Sequence, residues 1–208
     1  MLIGRANRGR LETGAANLDI EGLPTPVDEA ARMQVLIPAD RIRDRIDGMA
    51  AEIAAVYGGR PVTVVGVLSG CLIFMADLIR RIDLPARVAF VAASSYRGET
   101  TTPGRLLVRD ELLPDLAGRH VLLLDDILDT GNTLARVVAH LRGRGAESVK
   151  VGVLLRKVGR QVVPFEPDFV GFTIPDEFVV GYGLDYNDEY RHLPFIGVLP
   201  NDGAGAGA

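Results

Sequence analysis

One segment constrains this chain more than any other: Val121 to Leu134, VLLLDDILDTGNTL, where a continuous apolar run gives way to paired acids and then to a loop of small residues. Val121, Leu122, Leu123 and Leu124 leave no polar face, the pattern of a parallel strand buried on both sides. Asp125 and Asp126 follow at its carboxyl end, the edge beyond which open α/β sheets bind ligands. Asp129, Thr130, Gly131, Asn132 and Thr133 then bring small side chains and a glycine to the start of a helix, so several backbone N–H groups can converge on an anion. A phosphate fits such a loop. The helix is carried by Leu134, Val137, Val138 and Leu141 at i, i+3, i+4 and i+7, before Gly143 and Gly145 end the pattern.

The same alternation runs along the chain. Ile42, Ile46, Met49 and Ile53 share one face of a first helix that should end near Gly58 and Gly59. Val62 to Leu68 reads as a strand, Leu72 to Ile82 as a helix, Val88 to Ala93 as a strand, and Ser148 to Leu155 as another. Strands alternating with helices predict a doubly wound α/β fold around a mainly parallel sheet. Between Ser94 and Leu116 the pattern changes to Arg97, Gly98, Glu99, three threonines, Pro103 and Gly104, then Leu106 and Leu107, which predicts a hairpin with a mobile tip. Residues 1 to 33 lack sustained periodicity and read as a flexible extension, and 201 to 208, NDGAGAGA, as a flexible tail.

Composition removes several classes of function. A formal charge of -4 and a pI near 5.4 argue against broad attraction to nucleic acid or to membranes. Arg136, Arg142, Arg144, Lys150, Arg156, Lys157 and Arg160 cluster in the second half, and read mostly as solvated helix face and strand ends. Cys71 is the single cysteine, so no intramolecular disulfide or Cys-based metal framework is expected. His120, His140 and His192 lack metal-ligand spacing. No apolar run is long enough to span a bilayer and the amino terminus lacks a signal-peptide centre, so a cytoplasmic location is expected. No G-x-G-x-x-G follows a strand, which argues against a dinucleotide-binding dehydrogenase.

The D-D-I-L-D-T-G-N-T segment resembles the signature of the type I phosphoribosyltransferases, in which apolar residues precede two acids, two apolar positions and D-T-G-x-T. IPDEFVVGYGLDYNDEYRHLPFIGVL, Ile174 to Leu199, is similar to the base-binding end of the hypoxanthine-guanine branch. VLSGCLIFMADLIRRIDLP, Val67 to Pro85, is similar to its pyrophosphate loop, and Ser94, Ser95 and Tyr96 to its mobile loop. The resemblance covers roughly residues 34 to 200. It implies a type I phosphoribosyltransferase-like (Rossmann-like) core, a small hood built from chain-terminal segments, and a flexible hairpin that closes over the reacting sugar. It also implies purine salvage: a phosphoribosyl group passes from 5-phospho-α-D-ribose 1-diphosphate (PRPP) to hypoxanthine or guanine, with Mg2+ as cofactor and a homodimer or homotetramer as the assembly. A PRPP- or nucleotide-sensing regulator on the same fold is the alternative.

Residue by residue, the resemblance assigns the ribose hydroxyls and Mg2+, directly or through water, to Asp125 and Asp126. The first of these acids is usually glutamate in the family, so Asp125 shortens the reach by one methylene. Asp129 matches the acid proposed as general base near N7 of the purine; from local sequence alone it could equally be a helix N-cap. Thr130, Gly131, Asn132 and Thr133 would bind the 5′-phosphate, with Asn132 standing where relatives often place other residues. Leu68, Ser69 and Gly70 would bind pyrophosphate through backbone N–H groups, since Ser69 stands where many members have lysine, and a cis peptide between Leu68 and Ser69 is implied. Ser95, Tyr96 and Arg191 would also reach the pyrophosphate. Lys157 matches the donor to the 6-oxo group, with Arg156 as the alternative if the register slips by one; an ammonium there should reject adenine. Phe178 matches the aromatic that stacks on the base, Val179 the residue whose backbone meets its edge, and Asp185 an acid holding a second Mg2+ through water.

Overall fold

The computed structural model describes residues 33–95 and 106–199. Strand β1 (Gln34–Ile37) leads into helix α1 (Ala39–Tyr57), then β2 (Val62–Leu68), α2 (Leu72–Ile79), β3 (Ala86–Ser95) and β4 (Leu106–Arg109). After these come β5 (His120–Leu128), α3 (Asn132–Gly143), β6 (Ser148–Lys157), β7 (Phe169–Ile174), β8 (Val179–Val180) and β9 (Ile196–Val198). One sheet runs in the order β4-β3-β2-β5-β6-β7, all parallel except β4, which returns antiparallel along β3 as the hairpin pattern predicts. A second, antiparallel sheet of β1, β9 and β8 joins segments far apart in the chain, as the implied hood does. The fold is the expected mixed α/β one. Tyr96 and the tip of the hairpin, like residues 1–32 and 201–208 of the two expected flexible ends, lie outside the described residues, and so does the Ser95 side chain; Met33, read as part of the first extension, is instead buried with Val180, Tyr190 and Leu193.

The continuous apolar runs have a simple cause: helices cover both faces of the sheet. Leu122 and Leu124 of β5 point to the side of α1 and α2, where they join Ile42, Ile46, Met49, Ile53, Phe74 and Leu78. Leu123 and Val121 point to the other side and pack with Leu134, Val137, Val138 and Leu141 of α3. The four apolar residues of the α3 pattern are thus the four buried ones. The phenol of Tyr57, the last residue of α1, donates to the Val121 carbonyl at 3.0 Å and fixes the end of that helix against β5. At the sheet edge, Arg45 of α1 donates to the Val170 and Gly171 carbonyls of β7 at 2.7 and 3.0 Å, occupying acceptors that an edge strand would otherwise present.

Several boundaries differ from the sequence reading, β3 among them, which spans Ala86–Ser95 rather than Val88 to Ala93. Helix α2 stops at Ile79 rather than Ile82, because the Arg81 and Ile82 N–H groups both turn back to the Leu78 carbonyl and tighten the last turn. Strand β6 runs two residues past Leu155, paired with β7 up to Lys157 and Ile174. Strand β5 does not end at Leu124 but continues to Leu128, so Asp125 and Asp126 lie within it. Its pairing with β2 does stop at Leu124, opposite Gly66, while pairing with β6 continues to Leu128. From β2 the chain builds outward to β3 and β4 on one side, then crosses to β5, β6 and β7 on the other, so a crevice opens between β2 and β5. The acids stand where it opens.

Ile53 is fully buried between α1 and the sheet. Ile53→Ala should lower stability by about 2–5 kcal/mol, since the lost packing leaves a cavity. Urea unfolding checks this, with the midpoint shifted and the slope unchanged.

Candidate active site at the switch point

Three loops meet in the crevice. After β2, the Leu68–Ser69 peptide is cis, as the resemblance implies. A Cβ placed on Gly70 would fall on the Asp126 carboxylate, so this loop can approach β5 only with a glycine there. The third loop, after β8, closes on the same point. A Cβ on Gly183 would meet the Gly70 carbonyl, and the Gly183 carbonyl accepts from Arg191 at 2.7 Å. Tyr182 anchors this loop to α2 through a 2.6 Å hydrogen bond from its phenol to Asp77.

The loop from Asp129 to Thr133 forms the expected cradle. Gly131 has a φ of 83°, and a Cβ there would sit 2.7 Å from the Val163 carbonyl. It occupies the N-cap position of α3, and no side chain caps that helix. The N-cap reading of Asp129 is therefore overturned: the chain turns at a left-handed glycine two residues later, and the Asp129 carboxylate goes elsewhere. Thr130 Oγ1 accepts from the Asn132 side-chain amide at 3.3 Å, so Asn132 braces the loop. The start of α3 borders a cavity of about 310 Å³ lined by Asp125, Asp126, Asp129, Thr130, Gly131 and Thr133 among others. Such a turn favours an anion through its free donors and its dipole.

Directly beside that anion cradle lie two carboxylates, Asp125 and Asp126, that form no ion pair with the described residues. Asp125 is buried, and burial followed by the neighbouring Asp126 charge pushes its pKa well above the ordinary carboxylate value. Asp126 is also raised, chiefly by burial, with the Arg191 charge opposing from a distance. The Cys71 thiol, next to the Leu68–Gly70 loop, is raised too, by burial and then by these two acids. Oxygen donors, buried and adjacent, with phosphate-binding groups alongside, are what Mg2+ uses when substrate phosphates complete its shell. Among the described residues no group of three or more His, Cys, Asp or Glu side chains gathers around one point, so these acids suit a shared ion and not an all-protein cage. Asp185, assigned to a second ion, instead pairs with Arg191 at 2.8 Å and accepts from the Asp188 N–H at 2.9 Å. Arg191, assigned to pyrophosphate, is engaged by Asp185, Asp188 and the Gly183 carbonyl.

Of the assigned base-binding residues, Lys157 lies at the carboxyl end of β6, and Phe178 and Val179 lie at the start of β8. Lys157 closes β6 with its side chain only 11% exposed, and its ammonium lies 3.3 Å from Asp176. Arg156, the alternative, turns to Glu166 at 2.9 Å. The Phe178 ring is half exposed and packs edge-on against Tyr186, with centroids 5.5 Å apart, so it is no core phenylalanine. Val179 is buried in β8, opposite Val198. Asp129 reaches Arg160, whose Nε donates to Oδ1 at 3.0 Å and lies 3.5 Å from Asp176. Sequence reasoning set Arg160 among solvated charges and passed over Asp176. The signal was Arg160 lying three residues after Lys157, which counts only once β6 is known to end at the site.

A family model described as phosphoribosyl transferase domain matches residues 38–187. The hypoxanthine-guanine phosphoribosyltransferase of Streptococcus pneumoniae (strain ATCC BAA-255 / R6) is 42% identical over 169 residues, 81% of this chain and 94% of that protein. The enzyme of the same name from Bacillus subtilis (strain 168) is 42% identical over 166 residues, 80% of this chain and 92% of its own. Among solved structures, a hypoxanthine phosphoribosyltransferase from Staphylococcus aureus superposes with a TM-score of 0.77 at 38% identity, covering 83% of this chain and 94% of that one. A mutant hypoxanthine phosphoribosyltransferase from Trypanosoma cruzi, in a ternary substrates complex, gives 0.76 at 37% identity, over 81% and 95% of the two chains. With its anion cradle, its acid pair and these matches along most of its length, the chain belongs to the phosphoribosyl transferase domain family.

Proposed function

We propose that this chain is a purine-salvage enzyme that moves the phosphoribosyl group of PRPP to hypoxanthine and guanine, releasing pyrophosphate. The observation that carries the reading is one line of ion contacts, Asp129–Arg160–Asp176–Lys157, which joins the residue read as general base to the residue read as 6-oxo donor. The relatives and solved structures, named for this reaction, support it.

In this reading the first turn of α3 holds the 5′-phosphate and the Leu68–Gly70 loop holds the pyrophosphate by backbone donors. Asp125 and Asp126 hold the ribose hydroxyls while positive charge grows on the ring. Asp125 and Asp126 would hold Mg2+, directly or through water, and Asp185 a second Mg2+ through water, and the ions would supply positive charge to offset the leaving pyrophosphate. Arg191 exchanges its carboxylate partners for pyrophosphate oxygens. Lys157 donates to the 6-oxo oxygen, Phe178 stacks on the ring, and the Val179 backbone meets its edge. Asp129 takes the proton from N7 as a ring nitrogen attacks the anomeric carbon. The hairpin with Ser95 and Tyr96 closes over the sugar and excludes water. We assign this chemistry to residues 34–200, in a cytoplasmic homodimer or homotetramer. Among the described residues no helix is long and apolar enough to cross a membrane.

Steady-state turnover with PRPP, Mg2+ and each of hypoxanthine, guanine, xanthine and adenine tests the reading. Nucleotide formation from 6-oxopurines is expected, none from adenine, and a fall of about 10²–10⁴ in kcat for Asp129→Ala. PRPP binding without turnover of any base would sink the enzyme and promote a sensor. Gly70→Ala should raise KM for PRPP on the order of tenfold or more, because its Cβ displaces the loop from Asp126.

The acid pair makes a further prediction. A carboxyl whose folded pKa is raised favours the fold below its unfolded pKa, about 4, and loses that advantage as pH rises through the folded value. Asp125→Asn should therefore stabilise the ligand-free protein at neutral pH, on the order of 1 kcal/mol or a Tm rise of about 2–4 °C, and more so at high pH than at low. The same substitution should remove most Mg2+-dependent turnover; thermal melts at several pH values and the activity assay check both halves.

A further inference from the structure

The line of charges at the base-binding edge has alternating sign and belongs to three successive strand ends. Asp129 follows β5, Arg160 follows β6 close behind Lys157, and Asp176 follows β7. Arg160 Nε donates to Asp129 Oδ1 at 3.0 Å and lies 3.5 Å from Asp176 Oδ1, and that same oxygen accepts from Lys157 Nζ at 3.3 Å. Lys157 is the most buried of the four and the one with most need of an opposite charge. Arg160 is not carried by a free loop: the Val162 and Val163 N–H groups both donate to the Thr130 carbonyl, at 3.0 and 3.1 Å. The segment bearing the guanidinium is thereby docked on the phosphate cradle.

We propose that Arg160 and Asp176 are positioning residues for the purine, a brace that holds the Asp129 carboxylate and the Lys157 ammonium at a fixed separation before the base arrives. This rests on the assignment of Asp129 and Lys157 made above. Arg160 occupies one oxygen of Asp129, which leaves the other to accept an N–H of the base. Asp176 fixes the ammonium from one side, which leaves its other donors for the 6-oxo oxygen. A planar guanidinium suits this work because its donors are fixed in one plane, whereas a lysine at 160 would supply charge without orientation. Both brace residues are about half exposed, so the contacts are worth little to folding and their effect should fall on catalysis.

The test compares Arg160→Met, Arg160→Lys, Asp176→Asn, Asp129→Asn and the double variant Arg160→Met/Asp129→Asn, each with kcat, KM for hypoxanthine, KM for PRPP and Tm. Arg160→Met should lower kcat/KM for hypoxanthine about tenfold or more, with KM for PRPP within about twofold of the parent. Arg160→Lys should recover part of the loss, and Asp176→Asn should act mainly on KM for hypoxanthine. In the Asp129→Asn background, Arg160→Met should cost no more than about twofold, because its effect passes through that carboxylate. Parental kcat/KM in Arg160→Met, an equal penalty with and without Asp129, or a loss that follows a fall in Tm overturns the brace. A parent that forms no nucleotide overturns the underlying enzyme reading as well, which separates the two failures.

Discussion

Strand β5 is paired on both sides as far as Leu124 and on one side beyond it, and the whole site depends on this change along a single strand. From Val121 to Leu124 every side chain enters one of two packed cores, so no charge is admissible there. From Asp125 onward the neighbour β2 has turned away and polar side chains can meet a ligand. The departure of β2 also delivers the loop at Ser69 and Gly70 to the same place. The close approach of Gly70 to Asp126 follows from the two strands separating by only the width of the crevice. Fold and site are thus one consequence of a sheet whose strand order reverses between β2 and β5.

The acid pair is held against the interests of the fold. Burial raises the cost of ionising both adjacent carboxylates, and the Asp126 charge adds to it at Asp125, while the described ion pairs elsewhere show that the chain has arginines enough to neutralise them. Arg191 lies close enough to influence Asp126 but is tied to Asp185 and Asp188. Leaving such a pair uncompensated makes sense where a cation arrives with the substrate, because a resident arginine would compete for the same oxygens.

Much of this was legible in the sequence because it depends on local patterns. The α3 face, strand β2 and the apolar body of β5 follow from periodicity alone, and the cradle from small residues before a helix. Strand ends were less legible, since pairing partners decide them: β5 continues through charged residues because β6 stays beside it, and β6 reaches Lys157 because β7 does. The short strands β1, β8 and β9 carry no period of their own and form only through pairing across most of the chain length. Asp129 shows the limit most clearly. Locally it looks as much like a cap as a base, and only the glycine turn at Gly131 and the distant Arg160 decide where its carboxylate goes.

Arg160 and Asp176 were illegible for a related reason. A surface arginine and a surface aspartate in loops carry no signal until the ends of β5, β6 and β7 are known to lie side by side. Parallel strands place their carboxyl ends in register, so loops separated by many residues present their first few side chains to one another. Charge that accumulates along such an edge must alternate in sign or repel itself, and here the alternation begins at the phosphate cradle and ends at the buried ammonium of Lys157. An edge arranged this way carries the separation between a proton acceptor and a proton donor in its backbone geometry, and a flat heteroaromatic ring with an N–H and an oxo group on neighbouring edges is the kind of molecule that separation can measure.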